Sequence, residues 1–360
     1  MRIALALVAL TALLSCGRAP DIVGVSDPVS VAELRQHRIY LMTTRDASVV
    51  PGEFFSAGRA EGLALASVNV TIPPTHVAGE LERPTELPPD PMTEFTVINP
   101  AIYASEAAFV GALDTALAGL PPQDRRILLF VHGYNNTTSD AILRFGQFVE
   151  DSGFRGLPIL FTWASAARAP RYVYDLNSAL AARAELKNLS DILMSTDARG
   201  VDIFAHSMGA FLTMEGLVDA QLAGRLDAQG RIETVVLASP DIDMDVFRTQ
   251  LAVLPEAFRE KIFLLVSEDD AALRVSRAIA GGVPRVGAAD AEELEGLGLT
   301  VIDLSDIEDS SAGSHAKFAG SPDVVQLIGA GINSGGNLAG SATPVIMELL
   351  AQVPIEIIGN

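Results

Sequence analysis

Five short apolar runs constrain what this chain can fold into: ILLFV (127–131), PILFTW (158–163), VDIFA (201–205), TVVLA (234–238) and IFLLV (262–266). Each has the length of a strand and falls short of a helix. Such near-continuous apolar character is expected where both faces of a strand are buried. Helical patterns lie between them, at 139–151, about 176–194, 209–219 and 243–254, and a further one opens at Ala271. This alternation predicts an α/β fold, a mostly parallel doubly wound sheet with helices on both faces. A last strand is expected at 299–304. Upstream, 39–44 and 68–72 read as strands, the second stopping at Pro73-Pro74. A helix is expected at 105–120, capped by Ser105, with Phe109, Leu113 and Leu117 four apart. The proline-rich stretch 73–100 has no helical period and reads as a long loop, either a lid or a packed excursion. The Gly/Ser stretch 329–341 reads as a linker, with too few residues after it for another core.

With 49% hydrophobic and 19% charged residues, the chain can bury a large core. Its net charge of −20 is spread along the sequence and argues against nucleic-acid binding, which needs a basic face. Met1-Arg2 and the apolar run 3–14 have the form of a signal peptide, and the run is shorter than the roughly 20 residues that span a bilayer. It ends Leu13-Leu14-Ser15-Cys16-Gly17, which resembles a bacterial lipobox. That resemblance implies cleavage before Cys16 and a diacylglyceryl group on it. Cys16 is the single cysteine, so no disulfide within the chain is possible. The expected organisation is a lipoprotein signal peptide at 1–15, a tether at 16–30 and one domain at 31–360. The protein is expected to be exported and lipid-anchored in the cell envelope, facing the periplasm.

The run VDIFA leads into His206-Ser207-Met208-Gly209 and then a helical pattern. This is the layout of a nucleophile elbow, where a strand turns sharply into a helix and a strained serine is left exposed. Ala205 occupies the position usually held by glycine. The bland alternative is a serine that caps a helix. A nucleophilic serine needs a base, and the base needs an orienting acid. In doubly wound hydrolases the order is serine, acid, histidine. His37, His76, His132 and His206 all precede Ser207, so His315, after the last strand, is the base candidate. His206 should leave the elbow in another direction and reads as structural or as a wall of the pocket. Asp269 and Asp270 end the 262–266 strand. Asp270 is favoured as the acid because a helix starts behind it, while Asp269 is free to cap that helix instead. Asp241, one strand earlier, is the outside candidate. The Asp241-x-Asp243-x-Asp245 spacing lacks the glycine and glutamate of a calcium loop. These carboxylates read as a helix start. An oxyanion hole needs two backbone N–H groups. Met208 should give one, and Tyr134, in the loop His132-Gly133-Tyr134 after the 127–131 strand, the other. Arg168, Arg171 and Tyr172 follow Trp163 in a loop and offer contacts to an anionic substrate, although a solvated loop is the simpler reading.

Together, FVHGYNNT, FTWAS, AHSMG, ASPDID and SEDDAALRVS resemble bacterial α/β-hydrolases of an esterase-like, uncharacterised family. TTRD and VNVTIPPTHVAGELERP upstream are similar to it as well. Ala164 stands where that family tends to have proline. The resemblance implies an α/β-hydrolase fold, with Ser207 as nucleophile, Asp270 as acid by its D-x-A-L segment and His315 as base.

The function expected from the sequence is a carboxylic-ester hydrolase with a Ser-Asp-His triad. It needs neither metal nor organic cofactor and acts on a small-molecule or lipid ester. The alternatives are an envelope binding protein on a hydrolase scaffold, or an acyltransferase using the same triad.

Overall fold

Along the run 127–131, Ile127, Leu129 and Val131 join one apolar layer while Leu128 and Phe130 join the other, and all five are buried. A strand of this kind is stable only with helices on both sides. The computed structural model describes residues 18–308, 314–334 and 355–358. The signal-peptide stretch 1–15 and Cys16 lie outside them. The strands are β1 (Gln36–Ala47), β2 (Phe55–Thr71), β3 (Thr96–Ile102), β4 (Arg126–Val131), β5 (Leu157–Thr162), β6 (Gly200–His206), β7 (Ile232–Ala238), β8 (Ile262–Val266), β9 (Thr300–Asp303) and β10 (Glu356–Ile358). They form one sheet in the order β10-β9-β8-β7-β6-β4-β5-β1-β2-β3. From β1 through β5, β4, β6, β7 and β8 to β9 every pairing is parallel. The β1-β2-β3 end and the β9-β10 end are antiparallel.

Eight helices of more than eight residues cover the described sheet: α1 (Glu106–Ala118), α2 (Thr138–Asp151), α3 (Tyr172–Ala182), α4 (Leu186–Ser195), α5 (Met208–Leu222), α6 (Met244–Val253), α7 (Ala271–Ile279) and α8 (Pro322–Asn333). Phe109, Leu113 and Leu117 of α1 share one layer with Leu189 of α4, Leu212 of α5 and Phe247 of α6. On the other face Phe145 and Phe148 of α2 meet Val325 and Ile328 of α8. Phe130 stacks between Phe145 (4.9 Å) and Phe204 (5.7 Å), and Phe318 closes on Phe204 at 5.1 Å. Because the central strands are parallel, their C-terminal ends gather along one edge, the usual place for a site in such sheets.

Several boundaries differ from the sequence reading. The loop expected at 73–100 ends sooner, because 96–102 forms β3. Pro100 lacks an N–H and is tolerated there because β3 is the last strand in the order. The helix expected at about 176–194 is two helices, α3 and α4, joined by a turn at Arg183–Glu185. The strand expected last is followed by β10. Gly329, read as part of a linker, lies inside α8, where a Cβ would sit 2.0 Å from the Ser152 carbonyl oxygen. That glycine lets α8 close on the end of α2. Part of the stretch read as a tether is packed: Ile22 and Val23 are buried, and the Ile22 N–H donates to Ser139 Oγ at 3.0 Å.

The loop between β2 and β3 is clamped to α2 by a histidine. His76 Nδ1 lies 2.8 Å from Glu82 and Nε2 lies 2.7 Å from Asp151, while Phe95 meets the ring edge-on. Burial alone would lower the His76 pKa. The hydrogen bonds and charges of Asp151 and Glu82 outweigh it and hold the pKa up at about 9. A histidine whose pKa is raised on folding stabilises the fold fully below its unfolded pKa, roughly 6.5. That contribution declines as pH rises and is lost through about 9. Urea unfolding should therefore show stability falling by on the order of 2–3 kcal/mol from pH 6 to pH 9.5 from this group. His76→Gln should remove that component of the slope. An unchanged slope in the variant would overturn the assignment.

Candidate active site

The strand β6 enters α5 through Ser207, whose φ of 55° and ψ of −122° place a non-glycine residue in a strained turn. Backbone bonds hold the turn. The Ser207 N–H donates to the Ala238 carbonyl (2.9 Å), and its own carbonyl accepts from Ala210 (3.0 Å) and Asp241 (3.2 Å). Small neighbours are required. A Cβ on Gly133 would lie 2.8 Å from Ser207 Cβ, and one on Gly209 would lie 2.4 Å from the His132 carbonyl oxygen. The H-G pair and the last glycine of A-H-S-M-G are thus two sides of one close approach. Ala205 is fully buried between Val131 and Leu237.

His315 and Asp270 meet at the same edge. His315 Nδ1 lies 2.7 Å from Asp270 Oδ2, and Asp270 is fully buried. The other carboxylate oxygen accepts from the Leu273 N–H at 2.9 Å and caps α7. Asp270 therefore takes both roles that the sequence reading divided between Asp269 and Asp270. Asp269 instead accepts from Ser267 Oγ, from Ser314 Oγ at 2.7 Å and from Lys317 Nζ at 2.9 Å. Burial raises its pKa, but these bonds outweigh burial and hold it below the ordinary carboxylate value. Asp241 is engaged elsewhere, with Tyr172 Oη at 2.8 Å, Ser276 Oγ at 2.5 Å and Arg285 Nε at 3.3 Å. Neither alternative acid is bonded to His315.

His206 has a definite task. Burial, and then the neighbouring His315, push its pKa well below the ordinary value. The neutral ring contacts the His315 carbonyl oxygen through Nε2 at 3.0 Å, which makes Nε2–H the donor. The two histidine rings lie 4.7 Å apart, and Phe318 packs on His206 at 4.9 Å. Lys317, almost fully buried, bonds Asp269 and the carbonyls of Leu304 (2.8 Å) and Ser305 (3.0 Å). The segment carrying His315 is thus tied to the elbow by His206 and to the end of β9 by Lys317.

The His132–Asn136 loop is shaped by buried polar groups. Trp163 N–H donates to His132 Nε2 at 3.2 Å, so Nδ1 carries the proton and donates to the Gly133 carbonyl at 2.8 Å. Burial and then the Arg45 charge push the His132 pKa down to about 3. Asn136 Nδ2 donates to the carbonyls of Gly133 (3.1 Å) and Tyr134 (2.8 Å). With both carbonyls turned to that amide, the Tyr134 N–H has no acceptor among the described residues. Met208 opens α5, so its N–H has no partner within the helix.

Two residues absent from the sequence candidates hold this loop. Arg45, 1% exposed, donates to Thr162 Oγ1 (2.8 Å) and to the carbonyls of Ser165 (3.0 Å), Asn136 (2.8 Å) and Ser56 (3.2 Å). Asp175, fully buried, accepts from the N–H groups of Asn135 (3.2 Å) and Ala166 (2.7 Å) and from Ser165 Oγ (2.5 Å). The segments TTRD and FTWAS carried the signal for the first. Asp175 has no sequence signal, because two of its three partners are backbone N–H groups, which carry no residue identity.

Tyr172 is buried in the Asp241 network, whereas Arg168 and Arg171 are exposed. They line a hollow of about 470 Å³ with Arg18, Thr137 and Tyr174. Among the described residues no three His, Cys, Asp or Glu side chains converge as a metal site, and no helix is long and apolar enough to cross a membrane.

The chain is similar to several solved structures. An esterase of Rhizomucor miehei is 13% identical, with 85% of this chain and 87% of that one covered and a TM-score of 0.35. An esterase of Pyrobaculum calidifontis is 13% identical, with 85% and 88% covered and a TM-score of 0.38. A thermophilic carboxylesterase cloned from a metagenomic library is 13% identical, with 84% and 89% covered and a TM-score of 0.36. No curated protein matches the chain. One family model matches residues 111–331, more than half of the chain, spanning β4 to β9 and the helices between them. The chain belongs to the family of alpha/beta hydrolases of unknown function, DUF900.

Proposed function

We propose that this hydrolase is a lipid-anchored serine esterase of the bacterial envelope. The observation that carries the reading is the buried Asp270 carboxylate 2.7 Å from His315 Nδ1, on a segment bonded to the residue before the elbow serine. With Nδ1–H held by Asp270, the lone pair of His315 is at Nε2. Ser207 Oγ attacks the ester carbonyl as His315 Nε2 takes its proton. The Met208 and Tyr134 N–H groups donate to the oxyanion. As the C–O bond breaks, the imidazolium returns the proton to the departing alcohol and leaves an acyl-serine. Water, deprotonated by the same nitrogen, then attacks the acyl carbon, and the imidazolium returns the proton to Ser207 Oγ as the acid leaves. The lipobox-like segment ending at Cys16 supports an anchor on the periplasmic side.

A fluorophosphonate probe tests the catalytic reading: the expected result is one adduct, on Ser207. An unlabelled chain would favour a binding protein on a hydrolase scaffold. Turnover of p-nitrophenyl esters of increasing chain length with an added alcohol reads both acyl preference and product, the free acid for a hydrolase and a new ester for a transferase. Palmitate labelling that is lost in Cys16→Ser would support the anchor.

A further inference from the structure

Next to the site, α7 packs against the grain of its own sequence. Leu273 and Ser276 are its buried residues, while Val275 and Ile279 are 60% and 55% exposed. On a helix, Ala272, Val275 and Ile279 fall on one stripe, and here that stripe faces away from the core. Arg274, next to Val275, is exposed on the same helix, while Arg277 is turned about 160° from Val275 and its Nε donates to the Gly282 carbonyl at 2.8 Å. Ser276 Oγ lies 3.0 Å from Tyr172 Oη, so the start of α3 abuts α7. There Val173 is 62% exposed, close in sequence to the exposed Arg168 and Arg171. Among the described residues none of these four arginines has a carboxylate partner within ion-pair distance. The acid among the residues lining the hollow of Arg168 and Arg171 is Glu53, which accepts from Ser48 Oγ.

A chain of net charge −20 is repelled by an anionic bilayer and by its own copies. An apolar stripe flanked by arginines that lack a carboxylate partner is what such a chain needs to settle among anionic headgroups. We propose that the face formed by α7 and the start of α3 docks on an anionic lipid surface, with headgroup phosphates paired by Arg168, Arg171 and Arg274. Beneath it the Tyr172 ring meets the Tyr134 ring at 5.4 Å, so the docked face lies next to the loop that carries the proposed Tyr134 oxyanion donor. Arg18 gives separate support. It donates to the carbonyls of Ala167 (2.5 Å) and Asn135 (3.0 Å), beside Arg168. Cys16 precedes it by two residues, at most about 7 Å of extended chain. A lipid on Cys16 would therefore enter the membrane at this face. That strand of support rests on the anchor proposed above, but the exposed stripe and its arginines do not.

The test uses the full chain with Cys16→Ser, so that only an added cysteine reacts. Val275→Cys reports the proposed face. Leu222→Cys reports the far end of α5, about 20 Å along the helix from Met208. Labelling by a membrane-impermeant maleimide is timed with vesicles of phosphatidylglycerol and phosphatidylcholine in equal parts, with phosphatidylcholine alone, and without vesicles. Labelling at 275 should slow at least about tenfold on the anionic vesicles only, while position 222 is unaffected. Arg168→Glu with Arg171→Glu should restore labelling at 275, with buried Trp163 emission confirming the fold. Equal labelling at both positions, or protection on phosphatidylcholine alone, would overturn the proposal. So would protection without vesicles, which would indicate a second copy or another part of this chain over the stripe. The readout needs no turnover, so an inactive triad leaves it intact.

Discussion

Ser207→Ala will keep the fold and lose fluorophosphonate labelling, with ester turnover reduced by up to roughly a million-fold. The substitution isolates the oxygen. Ser207 Cβ already stands where Gly133 leaves room for it, and alanine keeps that carbon while removing only Oγ. The strain at φ 55° is carried by the Cβ, so it is the same in both chains. The bonds from Ser207 N–H to Ala238 and from Ala210 to the Ser207 carbonyl are backbone bonds and survive. A melting temperature near that of the parent should therefore accompany the loss. Activity above about one per cent of the parent would remove Ser207 from the nucleophile's role.

Asp270→Asn should cut kcat by about 10⁴ with little change in KM. Asparagine retains an oxygen to accept from Leu273, so the start of α7 persists. Its amide, however, presents a donor to His315 Nδ1. The ring must then carry its proton on Nε2, the nitrogen that has to accept from Ser207. The result is a correctly folded enzyme whose base has the wrong tautomer. Asp241→Asn and Asp269→Asn should cost far less, since their oxygens serve Tyr172 and Ser276 in one case and Ser314 and Lys317 in the other. A larger loss in either would move the acid assignment.

The central sheet was legible because strands buried on both faces leave continuous apolar runs, as 127–131 and 262–266 do. The elbow was legible because close approach admits only small residues, and that requirement is local in sequence. Other features were hidden for physical reasons. β3 carries a proline that only a terminal position in the sheet allows, and position within a sheet is not written in the strand itself. The N-terminal half of β2 is rich in alanine and glycine and has little β preference of its own. Most of the bonds of Arg45 and Asp175 go to backbone carbonyls and N–H groups, and those partners have no sequence identity to search for. His206 sat in plain view beside the serine. Its bond to the His315 carbonyl depends on a fold that brings together residues 109 positions apart.

The packed segment ahead of β1 has a further consequence. The Gly24 N–H donates to the Val97 carbonyl at 2.8 Å, and Val23 forms a bridge with Val97. Gly24, at φ 72°, lies against Pro100. These residues occupy the rim of β3 that a neighbouring molecule would otherwise extend, and Pro100 withholds a donor from the remainder. Unprotected strand rims recruit other chains. The short packed stretch ahead of β1 thereby also closes the sheet to strand exchange at that end.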